Sequence, residues 1–210
     1  MRDARTEVLG RIRSALASAP PDPGPVPRDY HRESLTGTAD IDRFVETVSD
    51  YRAQVRRITP ELLADTVAAL LAPGARLVVP ADVPPDWLSG LDFLSDDPAS
   101  PLSVSDLDGA DAVVTGCAVG IGATGTIVLD GGRTQGRRAL TLVPDHHICV
   151  VFTDQVVDTV PQAFAALEPT RPLTFISGPS ATSDIELNRV EGVHGPRTLD
   201  VLVVSADHRR

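Results

Sequence analysis

The chain has 210 residues, a formal net charge of −10 and a hydrophobic fraction of 42%. This length and composition suit one α/β domain with an N-terminal extension, and the negative charge argues against sequence-independent nucleic-acid binding and against docking on anionic membranes. No apolar run is long enough for a transmembrane helix, and the N-terminus lacks an apolar signal core, so we expect a cytoplasmic protein without membrane insertion.

Two residue types limit the possible chemistry. All 19 basic residues are arginine, and the absence of lysine excludes Schiff-base chemistry, a Walker-type phosphate lysine and a lysine general acid. The two cysteines, Cys117 and Cys149, form no Cys-x-x-Cys pair. By themselves they cannot assemble an iron–sulfur cluster or a structural zinc site, and we predict no metal in this chain.

Residues 1–30 are predicted to form an N-terminal helix and a linker. Val8, Leu9, Ile12 and Leu16 follow helical spacing over 3–18, and five prolines between positions 20 and 27 favour an extended segment. The helix either packs on its own domain or reaches a partner subunit. Residues 31–210 then form the α/β domain.

The first half of this domain reads as helix followed by strand. Apolar spacing predicts a helix over 40–57, and a further helix begins at Pro60 with Thr59 as its cap and ends at the Pro-Gly pair at 73–74. A short strand follows over 75–79. Between 80 and 108 we expect a short helix, a weak strand and loops, whose acidic residues form a solvated rim.

The stretch 111–130 is the first candidate site. Buried strands are predicted over 112–114 and 127–129, and the glycine-rich segment between them contains Gly122, Thr124, Gly125 and Thr126. Its amides could bind an anion or a carbonyl group. Alternatively, this is a tight crossing between strands at which only glycine fits. It is not a dinucleotide fingerprint, because no long helix follows.

A basic loop and several further elements follow. Arg133, Arg137 and Arg138 could hold a phosphate or carboxylate, or could simply be solvated, and Arg137 is the candidate ligand. Strands are predicted over 140–143, 147–153 and 173–176, and a helix over 160–167. Because strand side chains alternate, His146 and His147 point to opposite faces and cannot both bind one metal, whereas His147, Cys149 and Val151 share a face.

The last segment, 180–204, supplies a second set of candidates. Its polar start reads as a helix N-cap, which would also serve as an anion site, and a glycine-rich turn and a closing strand follow. We expect this segment to lie next to the glycine-rich turn at 122–126. Its candidate residues are Ser180, Thr182, Asp184, Glu186, His194 and Gly195.

Three blocks of this sequence resemble the LUD-domain family, specifically its lactate utilization protein C group (LutC, also called YkgG). The blocks are Thr-Gly-Cys through Ala-Thr-Gly-Thr-Ile-Val-Leu at 115–129, Pro-Asp-His-His-Ile-Cys-Val-Val at 144–151, and Ser-Asp-Ile-Glu at 183–186 with Gly-Val-His-Gly-Pro at 192–196. Their order and spacing agree over about residues 40–205. The resemblance implies a NagB/RpiA/CoA-transferase-like α/β fold with a sheet flanked by helices.

The resemblance also implies a role in oxidising L-lactate to pyruvate beside LutA-like and LutB-like partners. The iron–sulfur clusters would belong to the LutB-like partner, and no cofactor is expected in this chain. The family usually has glutamate before Thr-Gly-Thr, whereas this chain has Ala123. Because a general base or nucleophile is missing there, we expect an accessory, non-catalytic subunit. The alternative is a small-molecule enzyme or sensor of the same fold that binds a phosphorylated or carboxylate metabolite.

Overall fold

The structure is a computed structural model that describes residues 4–17, 24–30, 39–182, 190–191 and 194–206. The chain divides into two units, Met1–Tyr30 and His31–Arg210. In the first unit, helix α1 (Ala4–Leu16) contains no buried residue, and the helix predicted from its apolar spacing is confirmed. Among the described residues, no helix has both the length and the hydrophobicity needed to cross a membrane.

The second unit contains the remaining helices and the strands. Its helices are α2 (Ile41–Asp50), α3 (Leu63–Leu70), α4 (Val104–Asp108) and α5 (Val160–Ala166). The first six strands are β1 (Gln54–Ile58), β2 (Leu77–Pro80), β3 (Phe93–Asp96), β4 (Ala112–Thr115), β5 (Val119–Ile121) and β6 (Thr126–Leu129). The others are β7 (His146–Phe152), β8 (Val156–Val157), β9 (Thr174–Ile176), β10 (Ala181–Thr182), β11 (Val190–Glu191) and β12 (Thr198–Val204).

The main sheet has six parallel strands in the order β1-β12-β7-β4-β2-β3. Strands β2 and β4 are buried along their whole length, as expected for a parallel sheet that is covered on both faces. A second sheet, in the order β8-β5-β6-β9, contains the antiparallel pairs β5–β6 and β6–β9. The predicted α/β class, with a sheet flanked by helices, is confirmed.

The stretch 111–130 crosses from one sheet to the other. Its two predicted strands are confirmed as β4 and β6, but they belong to different sheets, and the segment between them contains a third strand, β5. Val119 and Ile121 of β5 are buried against Ala163 and Leu167 of the α5 region. This strand was not predicted because the segment is rich in glycine. Gly120 occupies a position at which the ring of Phe44 leaves no room for a side chain.

The two faces of the main sheet are covered by two separate hydrophobic cores. Ile148 and Val150 of β7 pack with α3 residues on one face. Cys149 and Val151 pack on the other face with Phe44 of α2 and with residues of the second sheet. The predicted alternation along β7 is therefore confirmed.

The helix predicted over 40–57 is too long. Helix α2 begins at its cap Asp40, whose carboxylate accepts from the Arg43 amide (2.9 Å), and it ends at Asp50. Arg52 then has a φ of +67°, which no right-handed helix accommodates. The residues that follow form β1, which pairs with β12 at the sheet edge. Long-range pairing thus overrides the local pattern.

The strand predicted over 140–143 is also wrong. Arg138–Thr141 is a 3₁₀ turn instead. Leu140 is buried against Val78 and Leu107, so its hydrophobicity reflects one anchoring side chain rather than a strand. This turn carries the basic loop back towards the sheet and forms one wall of the site described below.

Candidate functional site

A cleft of about 310 Å³ opens beside β9, on the face of the main sheet that carries His147 and Leu199. Its walls are the 3₁₀ turn Arg138–Thr141, strand β9 with residues 177–180, and residues 194–196. We call it the polar cleft. It contains three of the predicted site residues, namely Ser180, His194 and Gly195.

A glycine fixes the wall that follows β9. Gly178 has a φ of +81°, and a Cβ atom there would collide with the carbonyl oxygen of Tyr51. Because glycine adopts this conformation without steric cost, the turn packs directly against the end of α2. Ser177 and Ser180, which flank the Gly-Pro pair of this turn, both line the cleft.

Two hydrogen bonds join the opposing loops of the cleft. The Ser180 amide donates to the carbonyl oxygen of Pro196 (2.9 Å). The Ser180 hydroxyl accepts from the amide of His194 (3.0 Å). Ser180 and His194, both among the candidate residues, are therefore in direct contact at the polar cleft.

Arg138 supplies the permanent positive charge of the polar cleft. Its guanidinium donates to the hydroxyl of Thr174 on β9. Within the part of the chain that the structure describes, Arg138 forms no ion pair, and neither aspartate nor glutamate lines the cleft. The described walls therefore offer hydrogen-bond donors and positive charge, a combination that suits an anionic group.

His147 is 1% exposed and lies at the floor of the cleft. Its Nε2 atom is 2.8 Å from the Thr115 hydroxyl, which itself donates to the carbonyl oxygen of Gly116 (2.9 Å). Since a hydroxyl has only one hydrogen, this geometry assigns the Nε2 hydrogen to His147. His146 points the other way and pairs with Asp200 (2.8 Å), as the alternation of strand side chains predicted.

Two buried thiols lie behind His147. The interactions of the Cys149 thiol with Cys117 and with His147 lower its pKa against the opposing effect of burial. The pairing with Cys149, reinforced by burial, raises the pKa of Cys117. Cys149 and Cys117 are only 0% and 3% exposed, so burial rather than ionisation limits their reactivity.

The glycine-rich turn between β5 and β6 packs against α2 rather than lining the polar cleft. The Gly122 amide donates to the carbonyl oxygen of Val157 (2.8 Å), and the carbonyl oxygen of Gly122 accepts from the Thr47 hydroxyl (2.9 Å). Gly125 has a φ of +57°, and a Cβ atom there would lie 2.5 Å from the carbonyl oxygen of Thr47. These contacts agree with the second interpretation given for this turn, a tight crossing at which only glycine fits.

Threonine hydroxyls connect this turn to the cleft. The Thr126 hydroxyl is 2.8 Å from the Thr124 hydroxyl and 2.9 Å from the hydroxyl of Ser177, a cleft residue. The expected proximity of the turn and the 180–196 segment is thus indirect. The Ala123 amide donates to the carbonyl oxygen of Asp158 (2.9 Å) and is already occupied.

Arg137 turns away from the polar cleft. Its guanidinium binds both carboxylate oxygens of Asp96, at 2.9 Å each, in a second cavity. Burial tends to raise the pKa of Asp96, but hydrogen bonds from Arg137 and from the Leu102 amide hold that pKa below its ordinary value. Asp96 is 4% exposed, so the solvated-rim interpretation is wrong for this residue.

The remaining predicted residues lie at or beyond the limit of the described chain. Thr182 belongs to β10, which pairs with β11, and the helix start predicted after it lies outside the described residues. Asp184 and Glu186 lie outside the described residues. Within the described ranges, no three His, Cys, Asp or Glu side chains converge to hold a metal ion.

The sequence-based site omitted Ser177 and Thr174 and selected Arg137 instead of Arg138. The Ser-Gly-Pro-Ser sequence directly after a predicted strand was an available signal for Ser177. No local signal separates the two adjacent arginines, because only the distant residue Asp96 determines which of them is paired.

The chain thus forms an α/β domain with a parallel six-stranded sheet, a smaller second sheet and a polar cleft beside the latter. The LUD domain model matches residues 105–204. The chain is 47% identical over 210 residues to lactate utilization protein C of Deinococcus radiodurans, covering 96% of each chain. It is 34% identical over 118 residues to lactate utilization protein C of Geobacillus thermodenitrificans, covering 50% of this chain and 48% of that protein.

A solved structure agrees with these sequence matches. The crystal structure of a DUF162 family protein from Deinococcus radiodurans has a TM-score of 0.67 and 45% sequence identity, and the match covers 78% of this chain and 95% of that one. The chain belongs to the LUD-domain family, in its lactate utilization protein C group.

Proposed function

We propose that this chain takes part in lactate utilization, as an accessory subunit of a cytoplasmic system that oxidises L-lactate to pyruvate. The observation that carries the proposal is the match, over nearly the whole of both chains, to a protein named for lactate utilization. The partners would be LutA-like and LutB-like proteins. No part of the proposal requires this chain to carry out the oxidation itself.

The accessory role is supported by what the chain offers chemically. It has no lysine, and Ala123 stands where the family usually has glutamate. Its two cysteines are both buried in the core next to the main sheet, so they are poorly placed to bind an iron–sulfur cluster. The electron-carrying clusters would therefore reside in the LutB-like partner.

Gene deletion tests this proposal. We expect a deletion strain to lose growth on L-lactate as sole carbon source, to grow normally on pyruvate, and to recover on L-lactate when the wild-type gene is restored. Affinity purification of the tagged full-length chain from lactate-grown cells should retain an iron–sulfur protein. Undiminished growth of the deletion strain on L-lactate would refute the proposal.

A further inference from the structure

The polar cleft differs in charge from the rest of the molecule. The chain carries a net charge of −10, yet the described lining contains Arg138, two histidines and several hydroxyl groups, and no carboxylate. We infer that the polar cleft is a binding site for a small organic carboxylate, with Arg138 as the residue that binds the carboxylate group.

The pairing of neighbouring arginines supports the assignment to Arg138. Arg137 binds Asp96 at 2.9 Å, and Arg171 binds Asp130 at 2.9 Å. The described partner of the Arg138 guanidinium is instead the neutral hydroxyl of Thr174. A guanidinium has five N–H donors, so it retains donors for a bidentate contact with a carboxylate.

The charge of the cleft favours a carboxylate over a phosphate. A volume of 310 Å³ holds about ten water molecules, which leaves room for a small organic acid and residual water. Arg138 is the one permanent cation of the described lining. A single guanidinium neutralises a carboxylate, whereas a phosphate monoester carries up to two negative charges near neutral pH.

Hydroxyl groups of the polar cleft would recognise a polar group next to the carboxylate. The Ser180 hydroxyl accepts from His194 (3.0 Å), which leaves its own hydrogen available to donate. The Ser177 hydroxyl is held by Thr126 (2.9 Å). A 2-hydroxy or 2-oxo acid suits this arrangement, and in this choice of substituent the inference rests on the proposed role in lactate utilization.

Nuclear magnetic resonance titration of the full-length ¹⁵N-labelled chain tests the inference. The probes are sodium acetate, sodium L-lactate, sodium pyruvate, the neutral analogue L-lactamide and sodium phosphate, at constant ionic strength because screening alters charged contacts. We expect saturable shifts of the Thr174, Ser177 and His194 amides with the carboxylates and none with L-lactamide. L-Lactate and pyruvate should bind more tightly than acetate.

Two arginine variants provide the matched comparison. Arg138→Gln should weaken carboxylate binding by about 10- to 100-fold, the factor for losing hydrogen bonds to a charged group. Arg133→Gln removes the same charge from the same loop, but Arg133 does not line the polar cleft, so its effect should stay below about 2-fold. The circular dichroism of both variants should match that of the wild type.

Three outcomes would overturn the inference: no saturable shift with any carboxylate, unchanged affinity in Arg138→Gln, or tighter binding of phosphate than of every carboxylate. The gene-deletion result is separate. Carboxylate binding without a lactate growth defect would retain the cleft assignment and reject the proposed function. A growth defect without carboxylate binding would retain the proposed function and reject the cleft assignment.

Discussion

Substituting Gly125 with alanine tests whether the turn between β5 and β6 is shaped by its contact with α2. The added Cβ atom would lie 2.5 Å from the carbonyl oxygen of Thr47 and 2.8 Å from the amide nitrogen of Val48. Both are backbone atoms of α2, and Val48 is itself fully buried. The clash therefore cannot be relieved by rotating a flexible side chain.

A second glycine allows the cost of this steric clash to be distinguished from the cost of the left-handed backbone conformation. Gly131 has a φ of +65°, close to the +57° of Gly125, but a Cβ atom at Gly131 would meet nothing within 4 Å. Gly131→Ala should therefore report only the cost of a left-handed alanine, about 1 kcal/mol. Gly125→Ala adds a packing conflict of about 1–3 kcal/mol, for a total loss of about 2–4 kcal/mol.

Urea unfolding at neutral pH measures both losses, with the urea midpoint and the slope recorded for each variant. In thermal unfolding, the corresponding decreases in Tm are about 2–4 °C for Gly131→Ala and about 4–16 °C for Gly125→Ala. Equal losses of unfolding free energy in the two variants would refute the reasoning, because they would show that the α2 contact imposes no constraint on the turn.

Two further predictions concern charge and access. Asp96→Asn should lower the free energy of unfolding by about 2 kcal/mol at pH 7, because it weakens the hydrogen bonds with Arg137. The pKa of Asp96 is lowered in the fold, so this stabilisation is present at neutral pH and is lost progressively as the pH falls below about 4, the ordinary range of an aspartate. The difference between the wild-type and variant urea midpoints should therefore shrink as the pH is lowered below about 4, and a constant difference would contradict the assignment. Cys117 and Cys149, at 3% and 0% exposure, should resist Ellman's reagent in native buffer and react at the rate of unfolding in urea; rapid native labelling would contradict their burial.

The sequence predicted the buried strands better than the exposed ones. Strands β2, β4 and β6 are buried along their whole length, so each is a short apolar run with a clear signal. Strand β1 contains Arg56 and Arg57 and is an edge strand, and its pairing with β12 depends on residues far along the chain. No local window contains that information.

The same limit applies to the site. Ser180 and His194 were both selected as candidates from the sequence, but the hydrogen bond that joins them is visible only in the fold. Arg138 could not be distinguished from Arg137, because Asp96 lies 41 residues before Arg137 in the chain. The sequence offered a crossing that only glycine can make as one alternative for Gly125, but it could not identify the partner, because the Thr47 backbone that Gly125 contacts belongs to α2, far away in the chain.

The place of β12 in the main sheet has a consequence for biosynthesis. β12 comes after every other described strand in sequence, yet it lies between β1 and β7 in the interior of the sheet. During translation, β1 has no partner in the main sheet until residues 198–204 have left the ribosome, and such long-range pairing is intrinsically slow. A nascent chain that stops before Thr198 cannot complete the sheet, so this architecture makes folding depend on synthesis of β12.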